Sequence, residues 1–190
     1  MEETRVKINT RQMILTGLFA ALTAVGAFIQ IPIGTVPITL QLLFTILAGV
    51  MLGSKLGALS QLVYVVIGLF GVPVFAGGTG GFSSVLSPRF GYVIGFILCA
   101  YVVGKLTEGN KKPGFIGLLL ASFIGVMVVY LIGVPYLYLI VKNLMGKDMT
   151  FAAALKTGFF IFIPGDLLKC AAASALGVKV VPAVQKSAAY

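Results

Sequence analysis

The chain has 190 residues, of which 59% are hydrophobic and 10% are charged, and its mean hydropathy is +1.08. Soluble domains are about half apolar and about a quarter charged, so this composition excludes a soluble enzyme or binding module and indicates that lipid surrounds most of the chain. The net charge of +9, from 14 Lys and Arg against 5 Asp and Glu, is scattered between apolar runs without a basic-aromatic stripe, which favours membrane topology over nucleic-acid binding.

Six long apolar runs are predicted to cross the membrane as α-helices. A helix needs about 20 apolar residues to cross a hydrocarbon core of about 30 Å, whereas barrel strands alternate polar and apolar residues over about ten positions. The runs are longer than such strands and continuously apolar; in chain order they cover 13–31, 36–54, 56–75, 90–104, 114–141 and 151–181. The predicted fold is therefore an all-α integral membrane bundle of six transmembrane helices, with residues 1–190 as one domain.

Two of these runs are expected to depart from a simple straight span. Run 90–104 gives only about 22 Å of helix, so it is expected to extend upstream across Pro88. Run 151–181 is too long for one straight span and is expected to break near Pro164. The first run follows a basic segment, as a signal peptide would, but its length and the five later runs favour a retained helix.

The distribution of Lys and Arg predicts that both termini are cytoplasmic. Cytoplasmic loops are enriched in these residues, and the loops 32–35 and 73–87 contain none. With the N-terminus inside, Lys142 and Lys147 are exceptions that fall outside. The basic residues placed inside are Arg5, Lys7, Arg11, Lys55, Lys105, Lys111, Lys112, Lys179 and Lys186.

The first run carries small residues at spacings of three and four, which are typical of one helix face. Small side chains let two helices approach closely in lipid. This face is predicted either to pack against other helices of the chain or to bind an external partner. The residues are Gly17, Ala20, Ala21, Ala24 and Ala27.

A glycine-rich loop follows the third run, between Phe75 and Phe82. Its glycines allow the backbone to approach a ligand closely, although a flexible turn would have the same composition. The loop lacks the lysine of a phosphate-binding G-x-x-x-x-G-K-[ST] loop, and that motif occurs nowhere in the chain. The chain is therefore not expected to bind ATP itself. The glycines are Gly77, Gly78, Gly80 and Gly81.

The sequence 164–169, Pro-Gly-Asp-Leu-Leu-Lys, places two opposite charges inside an apolar run. Asp166 and Lys169 share a helix face at a spacing of three. Ionisable groups inside membrane segments are rare and commonly functional, and Pro164 before Asp166 suggests that a helix restarts there. A structural pair that only neutralises itself is the alternative.

Other polar side chains are predicted at the outer ends of the runs. Arg89, in the sequence Ser87-Pro-Arg-Phe-Gly-Tyr92, either extends toward the headgroups or donates to an anionic ligand. Thr39 and Gln41, at the start of the second run, either cap a helix or contact a ligand. With the glycine-rich loop, these residues predict an apolar pocket that opens outward and holds a few polar groups.

Four segments in this order, along six apolar runs, resemble the BioY family, the biotin-specific S-components of energy-coupling factor (ECF) transporters. They are Val-Pro-Ile-Thr-Leu-Gln at 36–41, Gly-Gly-Thr-Gly-Gly at 77–81, Ser-Pro-Arg-Phe-Gly-Tyr at 87–92 and Pro-Gly-Asp-Leu-Leu-Lys at 164–169. The resemblance covers essentially the whole chain. Each segment alone is a weak signal, and the set together is specific.

The resemblance implies a bacterial cell-membrane protein that captures biotin from outside and is not an enzyme. It implies no cofactor: biotin is the transported ligand, and ATP is bound only by the partners. Those partners are a transmembrane coupling subunit and two ATPase subunits, and the small-residue face of the first run would contact the coupling subunit.

The resemblance also implies roles for the residues of the pocket. Asp166 would accept hydrogen bonds from the ureido N–H groups of biotin, supported by Lys169, and Arg89 or loop N–H groups would bind its carboxylate. Phe75 and Tyr92 would form walls. The full set of expected binding residues is Thr39, Gln41, Phe75, Gly77, Gly78, Gly80, Gly81, Arg89, Tyr92, Asp166 and Lys169.

Three alternatives remain open from the residues alone. A related subunit could carry another small vitamin. A facilitator working without an ATPase would need a continuous polar path, and the apolar inner halves of the runs oppose it. An enzyme acting on lipid would need a nucleophile with a base or a carboxylate cluster, and the absence of histidine and the scattered acids oppose it.

Overall fold

The computed structural model describes residues 9–109 and 113–186, and five of its helices are long and apolar enough to cross a membrane. The predicted all-α fold with helices suited to a membrane is therefore confirmed, whereas six crossings and cytoplasmic termini stay predictions. The elements in chain order are α1 (Thr10–Phe28), β1 (Gln30–Ile31), β2 (Ile38–Thr39), α2 (Gln41–Leu69), a 3-10 helix (Phe82–Leu86), α3 (Phe90–Thr107), α4 (Phe115–Leu139), a π-helical turn (Ile140–Leu144), α5 (Phe151–Leu155), a second π-helical turn (Lys156–Phe160) and α6 (Ile163–Lys186).

Helix α2 reverses direction at Gly53, where the backbone has φ +78°. Its two halves lie antiparallel, because residues equally distant from Gly53 meet each other. The Thr45 hydroxyl lies 3.1 Å from Oε1 of Gln61, and a Cβ on Gly57 would lie 3.0 Å from the Ala48 carbonyl oxygen. The predicted second and third runs thus correspond to the two halves of one hairpin, joined by a single left-handed glycine.

The short predicted run 90–104 gains its length at the end opposite to the one expected. Helix α3 begins at Phe90 and continues to Thr107, so the predicted extension upstream across Pro88 is wrong. Proline disfavours helical backbone in the residue before it, and the 3-10 helix ends before it, at Leu86. The other end can continue because the Lys105 side chain is exposed and bonds Glu108.

The last apolar run contains the expected interruption, slightly before the expected position. Helix α5 gives way to a π-helical turn at 156–160 and a turn at 161–162, and α6 then begins. Pro164 lies in the first turn of α6, where its missing N–H costs no helical hydrogen bond. The proline therefore starts a helix here instead of interrupting one.

Close backbone contacts hold the α2 hairpin against α3. A Cβ on Gly104 would lie 2.3 Å from the Ser54 backbone nitrogen, and one on Gly49 would lie 2.6 Å from the Ala100 carbonyl oxygen. Only glycine permits such approaches, and dense packing is a main source of helix association in lipid.

Glu108 fastens the turn of the α2 hairpin to the end of α3. Its Oε2 accepts hydrogen bonds from the backbone N–H (3.1 Å) and the hydroxyl (2.8 Å) of Ser54, and its Oε1 pairs with Lys105 at 3.1 Å. The Ser54 donors, followed by Lys105, lower the pKa of Glu108 to about 2. The carboxylate therefore stays charged at the start of the second half of α2, where the helix dipole favours it.

A buried polar cluster joins α1 to both halves of α2. The Oε1 atom of Gln61 accepts hydrogen bonds from the hydroxyls of Thr23 and Thr45, and its Nε2 donates to Ser60 at 3.1 Å. All four side chains are fully buried. Hydrogen bonds of this kind hold helices together where no water can replace them.

The small residues of α1 divide between two environments. Ala20 and Ala27 are buried against the bundle, whereas Gly17 and Ala21 are exposed and Ala24 is half-buried. The surface open to a partner is therefore narrower than the predicted set of five. Among the basic residues behind the predicted orientation, Arg5, Lys7, Lys111 and Lys112 lie outside the described residues.

Candidate functional site

Two adjoining cavities lie at the end of the bundle that carries the glycine-rich loop. One has a volume of about 490 Å³, its open side included, beneath that loop, and the other has about 360 Å³ against α6. The two cavities adjoin, because both are lined by Val36, Pro37, Thr39 and Phe96, and together they are called the cleft.

Asp166 and Lys169 lie at the deep end of this cleft, as a pair. Lys169 Nζ lies 2.7 Å from Asp166 Oδ1, and both residues are more than 90% buried. The Tyr130 hydroxyl of α4 donates to the other oxygen, Oδ2. A buried charge is tolerated only when it is paired and hydrogen-bonded, so this triad is a built polar site within an apolar wall.

The start of α6 explains why the pair faces the cleft. Pro164 fixes the first turn, and the Asp166 N–H donates to the Phe162 carbonyl at 2.9 Å. The spacing of three then places Lys169 on the same face as Asp166. The prediction that the two residues share a helix face is confirmed.

Tyr92 lines the cleft beside this triad, and its hydroxyl is already used. The hydroxyl donates to the Gly158 carbonyl at 2.9 Å, within the second π-helical turn. Its ring packs over Gly133, where a Cβ would come within 2.5 Å, and it meets Tyr130 edge to face. Tyr92 therefore contributes a wall with a fixed position, and its ring is the part presented to a ligand.

Arg89 joins two loops over the other cavity. Its Nε donates to the Thr35 carbonyl and its Nη1 to the Ala76 carbonyl, both at 3.1 Å. Gly77 makes this possible, because a Cβ there would lie 3.2 Å from Nη1. The guanidinium thus sets the distance between loop 32–37 and the glycine-rich loop while its half-buried side chain lines the cleft.

The glycine-rich loop is anchored at both ends. The Gly78 N–H donates to the Phe75 carbonyl, and the Gly81 N–H donates to the Gly68 carbonyl at 2.7 Å. A Cβ added to Gly80 would lie 2.4 Å from the Val72 carbonyl oxygen, so only glycine lets the loop pass so close. Phe75 and Thr79 line the cleft, whereas none of the four glycines is among its lining residues. The glycines shape the loop, and its side chains form the wall.

Gln41 links the two sides of the cavity beneath the glycine-rich loop. Its Oε1 accepts from the Thr39 hydroxyl at 3.0 Å, and its Nε2 donates to the Tyr64 hydroxyl at 2.6 Å. Tyr64 in turn donates to the Val74 carbonyl at 3.2 Å. This chain of hydrogen bonds runs from strand β2 across α2 to the base of the glycine-rich loop, so Gln41 is held rigidly at the cleft.

Sequence reasoning missed several residues of this site. Tyr130 and Tyr64 were not selected, although a tyrosine within an apolar run needs a hydrogen-bond partner when buried, and that need is a detectable signal. Phe90, Phe96 and Phe162 gave no such signal, because an aromatic residue facing a cleft has the same pattern as one in the core.

The cleft can hold an elongated, mostly apolar ligand with polar ends. A paired carboxylate and ammonium at one end can accept from and donate to a neutral polar group. A guanidinium at the other end suits an anion. Aromatic rings between them, from Phe75, Phe90 and Phe96, provide apolar contact.

Comparison with known proteins places the chain among membrane transport proteins. The sequence profile described as the BioY family matches residues 1–186. The "Biotin transporter BioY" of Thermotoga maritima is 39% identical over 170 residues, 90% of this chain and 95% of that protein. The "Probable biotin transporter BioY" of Lysinibacillus sphaericus is 52% identical over 105 residues, a match that spans 55% of this chain and about half (53%) of that relative.

A solved structure has the same fold. The S-component for biotin from an ECF-type ABC transporter aligns with a TM-score of 0.73 at 28% identity, covering 93% of this chain and 91% of that one.

Proposed function

The chain belongs to the BioY family, and on that premise we propose that it takes up biotin as the S-component of an ECF-type ABC transporter. It is a transport subunit and not an enzyme. The main observation that supports biotin binding in the cleft is the buried triad of Tyr130, Asp166 and Lys169, which lines a mostly apolar cavity.

Biotin has groups that match both ends of the cleft. Its ureido ring carries two N–H donors and one carbonyl acceptor, so Asp166 accepts from the ureido N–H groups and Lys169 supports that carboxylate or donates to the carbonyl. The thiophane ring lies against Tyr92. The arrangement satisfies the pair in the complex without exposing either charge to lipid.

The carboxylate end of biotin lies at Arg89. Nε and one N–H of Nη1 hold the loops, so the carboxylate is bound by the remaining donors of Nη1 and Nη2, with Gln41 and Thr39 beside it. The Gly78 and Gly81 amides already donate to backbone carbonyls. Any loop N–H that contributes therefore comes from another residue, such as Ala76, which lines the cleft, and Phe75 forms the apolar wall.

The chain crosses the bacterial cell membrane six times, with both termini in the cytoplasm. Support comes from the α2 hairpin, whose halves supply the second and third crossings, and from the basic residues Lys55, Lys105 and Lys179, which this topology places inside. The cleft then opens to the outside, where biotin is captured.

Energy for uptake comes from partner subunits. The chain has no phosphate-binding loop of its own, and a transmembrane coupling subunit with two ATPases supplies ATP hydrolysis. Gly17, Ala21 and Ala24 form the open part of the α1 face that contacts the coupling subunit, and Ala20 and Ala27 support it from the buried side.

Uptake into proteoliposomes tests this function. Radiolabelled biotin is offered to vesicles that contain the chain alone, or the chain with a coupling subunit and ATPases and ATP inside. The expected result is accumulation only in the complete assembly. Equilibration by the chain alone would identify a facilitator, and saturable transport of a different vitamin would replace the ligand.

A further inference from the structure

A further cavity, separate from the two that form the cleft, lies on the side of the bundle between α4 and the segment 151–160. This side groove has a volume of about 590 Å³, its open side included. Leu131, which lines the groove, is 74% exposed, so the groove opens on the outer surface of the bundle. Its walls are apolar and are formed mainly by Met127, Leu131 and Pro135 on one side and Phe151, Leu155 and Phe159 on the other.

The dimensions of the side groove match one hydrocarbon chain. From Met127 to Pro135, the first and last residues of α4 that line the groove, the helix rises by about 12 Å. One leaflet of a bilayer contributes about 15 Å, half of a hydrocarbon core of about 30 Å. The groove thus spans most of the length of one lipid leaflet.

A positively charged side chain, that of Lys142, lies near the outer end of the side groove. Phe151, which lines the groove, meets the Tyr138 ring edge to face at 5.7 Å between centroids. Lys142 Nζ lies 5.2 Å from the centre of the Tyr138 ring and donates to its hydroxyl at 2.8 Å. The following loop adds the exposed Lys147 and one acid, Asp148.

This end of α4 lies at the same side of the membrane as the glycine-rich segment. The Tyr136 hydroxyl donates to the Val85 carbonyl in the 3-10 helix that follows the glycine-rich loop. Lys142 comes after Tyr136 on α4 and its π-helical turn, so its ammonium lies at headgroup depth.

We propose that the side groove binds one acyl chain of an anionic phospholipid whose phosphate is held by Lys142. An apolar groove that spans most of a leaflet and has an exposed ammonium beyond its outer end complements this class of lipid. The lipid fills a recess that would otherwise lack contacts, because Pro135 and the two π-helical turns keep α4 and segment 151–160 from closing on each other.

The lipid also supports the ligand site through one shared residue. Tyr130 lines the side groove, while its hydroxyl donates to Asp166 in the cleft. Phe159, on the opposite wall of the groove, meets the Tyr130 ring edge to face at 4.7 Å. An acyl chain packed on these two rings fixes the hydroxyl that orients Asp166. This consequence, unlike the lipid site itself, rests on the proposed function.

Titration of the delipidated full chain in detergent, followed by native mass spectrometry, tests the proposal. The probes are dioleoylphosphatidylglycerol and dioleoylphosphatidylcholine. Lys142→Gln is expected to weaken phosphatidylglycerol binding about fivefold and phosphatidylcholine binding less, because the choline cation offsets the phosphate charge. Leu131→Trp fills the groove and is expected to weaken both lipids at least tenfold.

Leu120→Trp is the matched control. Leu120 is also an exposed leucine on α4, but it does not line the groove, so this variant should bind both lipids as the wild type does. Equal lipid binding by the two tryptophan variants would overturn the proposal. A dimer lost in Leu131→Trp, with lipid binding unchanged, would assign the groove to a second copy and overturn it equally.

Biotin titration of the same variants separates this proposal from the proposed function. Leu131→Trp should bind biotin several-fold more weakly than Leu120→Trp. A chain that binds phosphatidylglycerol in the expected pattern but no biotin would contradict the proposed function and leave the lipid site standing. A chain that binds biotin but not phosphatidylglycerol would contradict the lipid site alone.

Discussion

At the scale of single residues, the site depends on two charges that lipid would not tolerate separately. Asp166 uses one oxygen for Lys169 and the other for Tyr130. Each oxygen of a carboxylate can accept more than one hydrogen bond, so the same group can still receive N–H donors from a ligand. Neutralisation and ligand recognition are therefore compatible in one side chain.

Asp166→Asn should weaken biotin binding by roughly 10- to 150-fold, because a hydrogen bond to a charged acceptor contributes about 1.5–3 kcal/mol. Tyr130→Phe keeps the ring and removes only the hydroxyl that orients Asp166, so its loss should be smaller, about fivefold. Calorimetric titration of both variants measures this order. Biotin affinity unchanged in Asp166→Asn would remove Asp166 from the ligand site.

Arg89 has two roles that one substitution would confuse, since it holds two loops and is proposed to bind the ligand carboxylate. Biotin methyl ester, which lacks the negative charge, separates them. The wild type should prefer biotin over the ester by at least tenfold, and Arg89→Gln should lose most of this preference. If Arg89→Gln weakened both ligands by the same factor, Arg89 would be a positioning residue only.

At the scale of helices, glycines decide which elements can touch. Gly104 lies directly against Ser54 at the turn of the α2 hairpin, and added volume in such a packed contact is destabilising. The hairpin, α3 and Glu108 meet there, so this contact sets the geometry of the end of the bundle opposite to the cleft.

Gly104→Ala should lower the free energy of unfolding by about 1–3 kcal/mol, with the melting temperature in detergent reduced by several degrees. Gly117→Ala is the matched control, because nothing lies within 4 Å of a Cβ added to this helical glycine. That variant should be as stable as the wild type or slightly more so. A Gly104→Ala protein that melts with the control would contradict the close packing.

The helical elements and one charged pair were predictable from local patterns, whereas most contacts between elements were not. Asp166 and Lys169 share a face because of their spacing alone. The second partner of Asp166, Tyr130, is 36 residues away in sequence, and no local pattern connects the two. The direction in which α3 lengthens was also hidden, because it depends on what Lys105 meets at the end of the helix.

The α2 hairpin shows the same limit at a boundary. Apolar runs before and after Lys55 predicted two helices, but the turn consists of one left-handed residue, Gly53, inside a stretch that is otherwise continuously helical. Glycine elsewhere in the chain also lies inside helices, as Gly57 and Gly104 do. Composition therefore did not distinguish the glycine that reverses the chain from those that permit close packing.

At the scale of the whole molecule, the α2 hairpin makes the proposed topology testable. With the termini inside, as proposed, the turn at Gly53 places Lys55 at the cytoplasmic surface and Ser83 at the outer one. In intact cells, a membrane-impermeant maleimide should label Ser83→Cys and leave Lys55→Cys unlabelled until the cells are opened. The native Cys99 and Cys170 are buried and give little background. Labelling of Lys55→Cys from outside would contradict six crossings with internal termini.

Capture of biotin in the cleft is the central claim, and calorimetric titration of the detergent-purified chain, prepared without biotin, tests it most directly. The proposed capture function predicts one biotin per chain with affinity in the nanomolar range, since a capture subunit must hold its ligand until its partners act. It also predicts that Asp166→Asn reduces this affinity sharply. Absence of heat and of bound biotin in a folded wild-type protein would contradict the account.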